Sequence, residues 1–320
     1  EKERDKILVL PPASSPLSPG QFSGLFVDGA SALVGEDGTL YGTPLYMDSL
    51  ALFYNKDMLE SAGFAHAPAT WDEFTAVSRR LTQVAPNGDI VRSGAALGSA
   101  ANVSHAMELA TALILQQGDP IARRDGHVEL GDAAVRALDF YASFTAPGNP
   151  NYSWTSRMPE SLHAFASEGA AMAFGLSTDI ARVRAENPHL NFAVAPFPQP
   201  SQGSARTYGT YAFLAVSRLT KNREAAWQFA LFAGSREGAA VYLEKTMRPP
   251  ARRDLIAAIS DGSAADVFAR SALIARTWPV PDERPARRIF EEAIDGMVRR
   301  TYTVSEALAR IRSKLQLLFP

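Results

Sequence analysis

Cysteine is absent from the 320 residues of this sequence. Its absence excludes disulfide bonds, thiolate metal sites and a cysteine nucleophile. It does not identify a compartment, because an exported bacterial protein can fold without disulfides and a protein of a reducing cytosol also has no need of them.

Long apolar runs and a surplus of one charge are also missing. No stretch approaches the roughly 18 apolar residues of a membrane helix, and the first residues lack the pattern of a signal peptide. We therefore expect any export signal or lipid anchor to precede Glu1. Because 32 Lys and Arg residues nearly balance 34 Asp and Glu residues, no basic surplus is available for phosphates, and nucleic acid is not an expected partner.

Sequence motifs of common enzymes are missing as well. The chain has no G-x-S-x-G, no G-x-x-x-x-G-K-S/T, no G-x-G-x-x-G and no H-E-x-x-H. Acidic neighbours such as Glu291 and Glu292 are interpreted as a solvated helix face and not as a general acid/base pair. The histidines are spread over separate segments and are interpreted as surface or packing residues: His66, His105, His127, His163 and His189. We expect no catalytic residue, no metal and no cofactor.

Hydrophobic periodicity and turn residues predict an α/β fold in which helices cover the sheets. Residues 1–40 are rich in proline and predict a loop-rich lead-in. Thr70 and Glu73 form a capping box at a helix start, and Thr303 and Glu306 form a second one. Further helices are predicted at residues 104–117, 132–144, 160–167, 178–186, 222–233, 252–259, 264–277, 286–300 and 305–318. Strands are predicted at residues 39–44, 49–55, 170–174, 192–196 and 211–216.

Aromatic residues in the predicted loops are the first sign of a function. Trp154 follows Ser153, Tyr208 and Tyr211 lie on either side of Gly209, and Trp278 precedes Pro279. Flat rings can stack on the apolar faces of sugars while carboxylates and amides bind the hydroxyls. The alternative is that each ring closes the hydrophobic core from the loop side. Composition and residue patterns alone therefore predict no more than an α/β protein with a candidate cleft for a small ligand.

Several segments resemble the family of extracellular solute-binding proteins to which maltose-binding protein belongs. They are the Tyr-Gly-Thr-Pro of residues 41–44, residues 48–57 with their Tyr-Asn-Lys-Asp, the Thr-Trp-Asp-Glu-Phe of residues 70–74, and residues 165–175. The resemblance continues through residues 192–198, 211–217 and 222–232 to the closing helices. It spans most of the chain beyond about residue 39.

The resemblance implies a two-lobed, type II periplasmic-binding-protein-like clamp with discontinuous lobes. A sugar or oligosaccharide-like solute would bridge the lobes and favour the closed form, without covalent chemistry. The protein would be a monomer in the periplasm or at the cell surface, and its partners would be the permease subunits of an ABC importer. Lobe 1 is expected at residues 1–52 and 214–253, lobe 2 at 56–209 and 254–320, and hinge strands at 49–55 and 210–217. Nothing before Thr39 compares with the strand–helix–strand–helix front of the family, so we expect the front of lobe 1 to be missing, with a rebuilt lobe as the alternative.

The resemblance also implies which residues meet the ligand. Asp48 lies seven positions before Asn55, where sugar-binding relatives carry an acidic residue, and a carboxylate there could accept two hydroxyl hydrogen bonds. The segment after Gly175 corresponds to a ligand-contacting loop. It has Thr178 where relatives that bind linear maltodextrins have tryptophan, which argues against specificity for maltose. The predicted ligand-binding residues are Asp48, Trp154, Ser177, Thr178, Asp179, Tyr208, Tyr211 and Trp278.

Two other functions stay open at this point. A carbohydrate-active hydrolase would use two carboxylates near Trp154 and would form products, whereas a binding protein returns its ligand unchanged. A ligand-sensing domain would signal through a membrane partner instead of feeding a transporter. Trp154 is the predicted stacking platform of lobe 2. If its ring lies at a surface it can stack on a sugar, and if it lies in the core it serves packing instead.

Overall fold

The structure is a computed structural model that describes residues 4–123, 125–201, 205–280 and 282–319. The predicted lobes also contain residues 1–3, 124, 202–204, 281 and 320, which lie outside the described residues. The described chain divides into two compact units. Unit 1 comprises the chain up to Ser49 together with Gly209–Thr277, and unit 2 comprises Leu50–Tyr208 together with the chain from Trp278 onward.

Helices and strands alternate along much of the chain as predicted, but the strand predicted at residues 39–44 is observed at Thr43–Ser49. The helices are α1 Pro19–Leu25, α2 Lys56–Ser61, α3 Trp71–Leu81, α4 Ala106–Gln116, α5 Asp132–Ser143, α6 Ser161–Ala166, α7 Asp179–Glu186, α8 Arg223–Ala233, α9 Arg236–Thr246, α10 Arg253–Ile256, α11 Ala264–Ile274, α12 Glu283–Val298 and α13 Val304–Gln316. The strands are β1 Thr43–Ser49, β2 Ala51–Asn55, β3 Gln83–Val84, β4 Ile90–Arg92, β5 Ile121–Ala122, β6 Val128–Glu129, β7 Met172–Gly175, β8 Phe192–Pro196, β9 Thr207–Leu214 and β10 Ala275–Arg276. Short 3-10 turns lie at Arg4–Lys6, Pro12–Ser14 and Asp28–Leu33.

Both predicted capping boxes are confirmed. At the start of α3, the Thr70 hydroxyl accepts a hydrogen bond from the Glu73 amide at 3.2 Å, and the Glu73 carboxylate accepts one from the Thr70 amide at 3.3 Å. Thr303 and Glu306 make the same reciprocal pair at the start of α13. Each box satisfies two amides that a helix start otherwise leaves without a partner.

Two helices differ from the prediction. α1 lies within the segment predicted as loop, because Pro19 occupies the first helical turn, where a missing amide costs nothing, and Ser18 caps it with Gln21. α9 was not predicted. Among its side chains only Ala239 is buried, so the apolar stripe that signals a helix is absent from its sequence.

Unit 1 is built on a three-stranded sheet in the order β1-β9-β10. β1 and β9 run antiparallel from Thr43 opposite Leu214 to Ser49 opposite Gly209. The hydrophobic core of the unit is formed by side chains from many segments: Phe22, Phe26, Val27, Ala30, Leu33, Leu40, Met47, Val216, Trp227, Ala230, Ala251, Ile256, Ala269, Ala272 and Ala275.

The far boundary of unit 1 differs from the predicted one. Residues 254–277 were expected in lobe 2, but the structure places α10, α11 and β10 in unit 1. The physical reason is that Ile256, Ala269 and Ala272 bury their side chains in the core of unit 1. The role of residues 49–55 and 210–217 as hinge strands stays a prediction.

Unit 2 is built around a second sheet in the order β7-β2-β8, with β2 antiparallel to both neighbours. The apolar run of residues 50–53 is buried, as expected for the central strand of a covered sheet. α4 is buried along its whole length. In the core, the Trp71 ring meets the rings of Phe74, Phe140, Phe174 and Phe197 at centroid distances between 5.2 and 5.9 Å. In the described part of the chain no helix is long and apolar enough to cross a membrane.

We predict that the capping box of α13 contributes measurably to stability. Thr303→Ala removes the hydroxyl that accepts from the Glu306 amide and should lower the free energy of unfolding by about 1 kcal/mol. Thr301→Ala is the matched control, because Thr301 is also an exposed threonine but lies outside the cap, and it should change stability by less than about 0.5 kcal/mol. Urea denaturation of both variants tests this, and equal effects would contradict a specific cap.

Candidate functional site

A pair of polar side chains joins the starts of α4 and α7 in unit 2. His105 precedes α4 in the left-handed region, with φ of 59°, and its Nε2 lies 2.8 Å from Oδ2 of Asp179. Asp179 is the first residue of α7, and its Oδ2 also accepts the Leu176 amide at 2.8 Å. The carboxylate is thereby fixed in one orientation, and both side chains keep some exposed surface, 20% for His105 and 15% for Asp179.

The environment of His105 favours its protonated form. Burial alone would lower the pKa of the imidazole, but the hydrogen bond and charge of Asp179, with the charge of Glu108, outweigh burial and the opposing charge of Arg287. The pKa of His105 is therefore raised above its ordinary value. The imidazole can donate from both ring nitrogens when protonated.

A second pair lies next to the first. The Glu108 carboxylate, on the first turn of α4, accepts hydrogen bonds from Arg287 of α12 at both oxygens, at 2.9 and 2.5 Å. Arg287 also contacts Glu283 at 2.8 Å. The hydrogen bond to Glu108 is the largest cause of a raised Arg287 pKa. We call His105, Glu108, Asp179 and Arg287 the α4 cluster.

Trp154 does not form the predicted stacking platform, because it lies in the core. Its ring is fully buried, and its indole N–H donates to Oδ1 of Asn102 at 3.0 Å. The amide of Asn102 in turn donates to the carbonyls of Thr155 and Met158 at 2.9 and 2.8 Å. Trp154 thus stabilises the loop that leads to His105 and offers no ring face to a ligand.

The other predicted residues of unit 2 divide into buried and accessible ones. Tyr208 and Trp278 are buried, at 6% and 3% exposure. Ser177 is half-buried and Thr178 is exposed, directly before Asp179 in the loop at the start of α7. The structure thus brings this loop together with His105, and the prediction that all the site residues border one cleft stays a prediction.

In unit 1, Asp48 is buried and already has partners. Its Oδ1 accepts the Ser49 amide at 2.9 Å, and its Oδ2 lies 3.3 Å from Nη1 of Arg248. The Asp48 side chain has no exposed surface, so it does not present the open carboxylate that was predicted. Tyr211 is half-buried against the core of unit 1, and burial raises its pKa.

The residues that the sequence patterns missed are the partners of predicted ones. His105 and Asp179 are 74 positions apart, and Asp48 and Arg248 are 200 apart. Helical spacing offers one usable signal, since Glu108 follows His105 by three positions and falls on the same helix face. No local pattern connects the more distant pairs.

The hydrolase alternative is not favoured by the carboxylates. Glu160, close to Trp154 in sequence, caps α6 and accepts the amides of Leu162 and His163. Burial would raise the pKa of Glu160, but these hydrogen bonds, that of Ser104 and the charge of Arg182 outweigh burial and lower it.

Glu291 shows the opposite behaviour, since burial is the main cause of its raised pKa. A glycosidase needs a second, free carboxylate beside such an acid. Glu108, which acts electrostatically on Glu291, has both oxygens bound by Arg287. Among the described residues no group of three or more His, Cys, Asp or Glu side chains could hold a metal ion.

Comparison with known proteins identifies the family. Residues 2–240 match the family model for bacterial extracellular solute-binding proteins, and the chain belongs to this family. The membership predicted from the motifs is therefore confirmed.

The curated relatives are distant and longer than this chain. A protein of Brucella abortus (strain 2308), described as a binding protein, is 25% identical over 265 residues, which cover 81% of this chain and 63% of that protein. The arabinooligosaccharide-binding protein of Bacillus subtilis (strain 168) is 25% identical over 227 residues, which cover 67% of this chain and 49% of the relative. The chain thus spans less than two thirds of the length of these relatives.

Solved structures share the fold at low sequence identity. The sugar-binding protein MalE of Xanthomonas citri has a TM-score of 0.80 at 19% identity, covering 98% of this chain and 79% of that one. A cyclo/maltodextrin-binding protein in complex with maltotetraose has a TM-score of 0.77 at 20% identity, covering 97% and 77%. The α/β fold of periplasmic-binding-protein-like proteins, predicted from the sequence, is confirmed.

We predict that Trp154 is a stability residue. Trp154→Ala should lower the free energy of unfolding by about 3–5 kcal/mol, because it empties a filled core site and leaves Asn102 without its donor. Tyr152→Ala, two positions away and half-buried, should cost less. Chemical denaturation of both variants measures this, and an unchanged midpoint for Trp154→Ala would show that the ring is not a core residue.

We also predict a pH dependence from the pair of His105 and Asp179. Because the folded pKa of His105 is raised above 6.5, the stability that the pair contributes is complete below that pH and is lost as the pH rises through the raised pKa. Asp179→Asn should therefore destabilise the protein most at pH 6, and its effect should shrink as the pH rises through the raised pKa of His105.

Histidine side-chain NMR gives the direct readout of this pair. The His105 signal should titrate at a higher pH in the wild type than in Asp179→Asn. A His105 titration that Asp179→Asn leaves unchanged would contradict the assigned interaction.

Proposed function

We propose that this chain is the solute-binding component of an ABC importer, which captures a sugar or oligosaccharide-like solute outside the cytoplasm and releases it unchanged. The observation that carries the proposal is the α4 cluster, found in a chain that belongs to the extracellular solute-binding family. The proposed partners are the permease subunits, and the protein acts as a monomer that is held at the membrane by a lipid anchor or is free in the periplasm.

The α4 cluster suits hydroxyl groups. His105 and Arg287 are donors, Asp179 and Glu108 are acceptors with further lone pairs, and each is oriented by its partner within the cluster. A sugar hydroxyl can donate and accept at once, and hydrogen bonds to charged groups are stronger than neutral ones. Orientation before binding reduces the entropy lost when the ligand is fixed.

Accessible polar groups next to the cluster extend the proposed contact surface. The exposed Thr178 and half-buried Ser177 precede Asp179, and the Arg287 side chain keeps 32% of its surface exposed. We propose Ser177, Thr178, Asp179, His105 and Arg287 as ligand contacts of unit 2, and we no longer propose Trp154. This set binds through hydrogen bonds and not through an indole ring.

The names of relatives support a carbohydrate ligand. One curated relative is an arabinooligosaccharide-binding protein, and structures with this fold were solved with maltotetraose and with mannobiose. Since the identities are 25% or lower, these names define a panel of compounds to test and not a single ligand.

The proposal is tested by a thermal-shift screen of the chain with arabinooligosaccharides, maltotetraose, mannobiose and their monosaccharides. A ligand at a hundred times its dissociation constant adds about 2.7 kcal/mol to stability, so at least one compound should raise the melting temperature. His105→Ala should weaken the binding of that compound. His66→Ala changes an exposed histidine outside the cluster and should leave the binding unchanged. A panel without any stabilising member would contradict a neutral carbohydrate ligand.

A further inference from the structure

A short, rigid segment of unit 1 holds Arg248 at the side of β1. α9 ends at Thr246, and Met247 turns the chain through the left-handed region, with φ of 55°. Pro249 and Pro250 follow Arg248 and restrict the backbone. The Pro249 carbonyl accepts the Met47 amide at 3.1 Å, so the segment is attached to β1 on one side of Arg248.

Two side chains of β1 orient the guanidinium. Nη1 of Arg248 lies 3.3 Å from Oδ2 of the buried Asp48. The guanidinium carbon lies 4.8 Å from the centre of the Tyr46 ring, and that ring is nearly parallel to Tyr242 of α9, at 6.3 Å and 6°. Arg248 is thus held by a charge at one nitrogen and by its contact with an aromatic face.

One edge of the same guanidinium has no hydrogen-bond acceptor within the described chain. Nη1 lies beside Asp48, whereas Nε and Nη2 of Arg248 have no acceptor among the described residues. The Arg248 side chain keeps 28% of its surface exposed. The Nε–H and one Nη2–H bond point the same way from the guanidinium, which is the geometry that binds a carboxylate through two parallel hydrogen bonds.

We propose that this edge of Arg248 binds the carboxylate of an acidic sugar, such as a uronic acid. The proposal rests on the proposed function and deepens it by naming the class of ligand. Arg248 is the direct contact of unit 1, and Asp48, the residue predicted for that role, is the positioning residue behind it.

A carboxylate fits this edge better than a pair of hydroxyls. Both N–H groups can only donate, and a carboxylate offers two acceptor oxygens in one plane, whereas hydroxyls must also place their own protons. Asp48 neutralises part of the guanidinium charge, so selectivity comes from the bidentate geometry and not from a surplus of positive charge.

The direct test is a titration of the full chain, labelled with ¹⁵N, with D-glucuronate while the arginine Nε–Hε signals are observed by NMR. Arg248→Lys assigns the Arg248 signal by its disappearance. We expect a saturable shift of that signal with D-glucuronate and a much smaller one with D-glucose. No shift, or equal shifts with both sugars, would overturn the proposal.

Variants separate contact from positioning. Arg248→Met keeps an aliphatic side chain at this position but removes the donors. It should weaken the binding of D-glucuronate about tenfold to a hundredfold. Arg236→Met is the matched control, because Arg236 is an exposed arginine of the same unit, 4.0 Å from Asp254, and should leave affinity unchanged. Asp48→Asn should weaken binding and also move the Arg248 signal before any sugar is added, which a purely structural role would not do.

The results also distinguish this proposal from the function on which it rests. If a neutral sugar binds wild type and Arg248→Met equally while D-glucuronate leaves Arg248 unmoved, the solute-binding function stands and the carboxylate site falls. If D-glucuronate moves Arg248 but no panel sugar stabilises the chain, the carboxylate site stands and the neutral carbohydrate ligand falls.

Discussion

A carboxylate that is removed from water needs a cation or several hydrogen bonds, and this requirement organises both units. Asp48 is held by Arg248, Glu108 by Arg287, and Asp179 by His105. Each pair connects segments that are distant in sequence. The first attaches the segment after α9 to β1, the second joins α12 to α4, and the third joins the start of α7 to the start of α4. The charge pairs therefore add contacts between these segments to those that the apolar cores supply.

The same requirement decides which groups a solute can reach. In each pair the acidic member is the more buried one, and the basic member keeps more surface: 28% for Arg248 against 0% for Asp48, and 32% for Arg287 against 8% for Glu108. The more accessible member of each charge pair is consequently an oriented donor. A ligand rich in acceptor oxygens fits these donors. Catalysis that needs a free carboxylate is not favoured at Glu108, because both of its oxygens are bound by Arg287.

Local patterns predicted much of the fold, because capping boxes, apolar runs and the apolar periodicity of helices depend only on residues that are close in the sequence. α3, α13 and the central strand β2 are examples. α9 was missed because it buries a single side chain. Residues 254–277 were assigned to the other unit because an apolar face does not show which of two cores it packs against. The site was predicted less well. A tryptophan in a polar loop looks the same whether its ring points inward or outward, and only the fold shows that Asn102 takes the indole N–H of Trp154.

The central claim is that this chain binds a solute through fixed polar pairs and does not transform it. Equilibrium dialysis against a stabilising sugar, followed by mass spectrometry of the bound and free sugar after prolonged incubation, tests that claim most directly. The account predicts saturable binding of one molecule per chain, with the sugar recovered at its original mass. Recovery of cleaved or otherwise altered sugar in proportion to protein and time would contradict it.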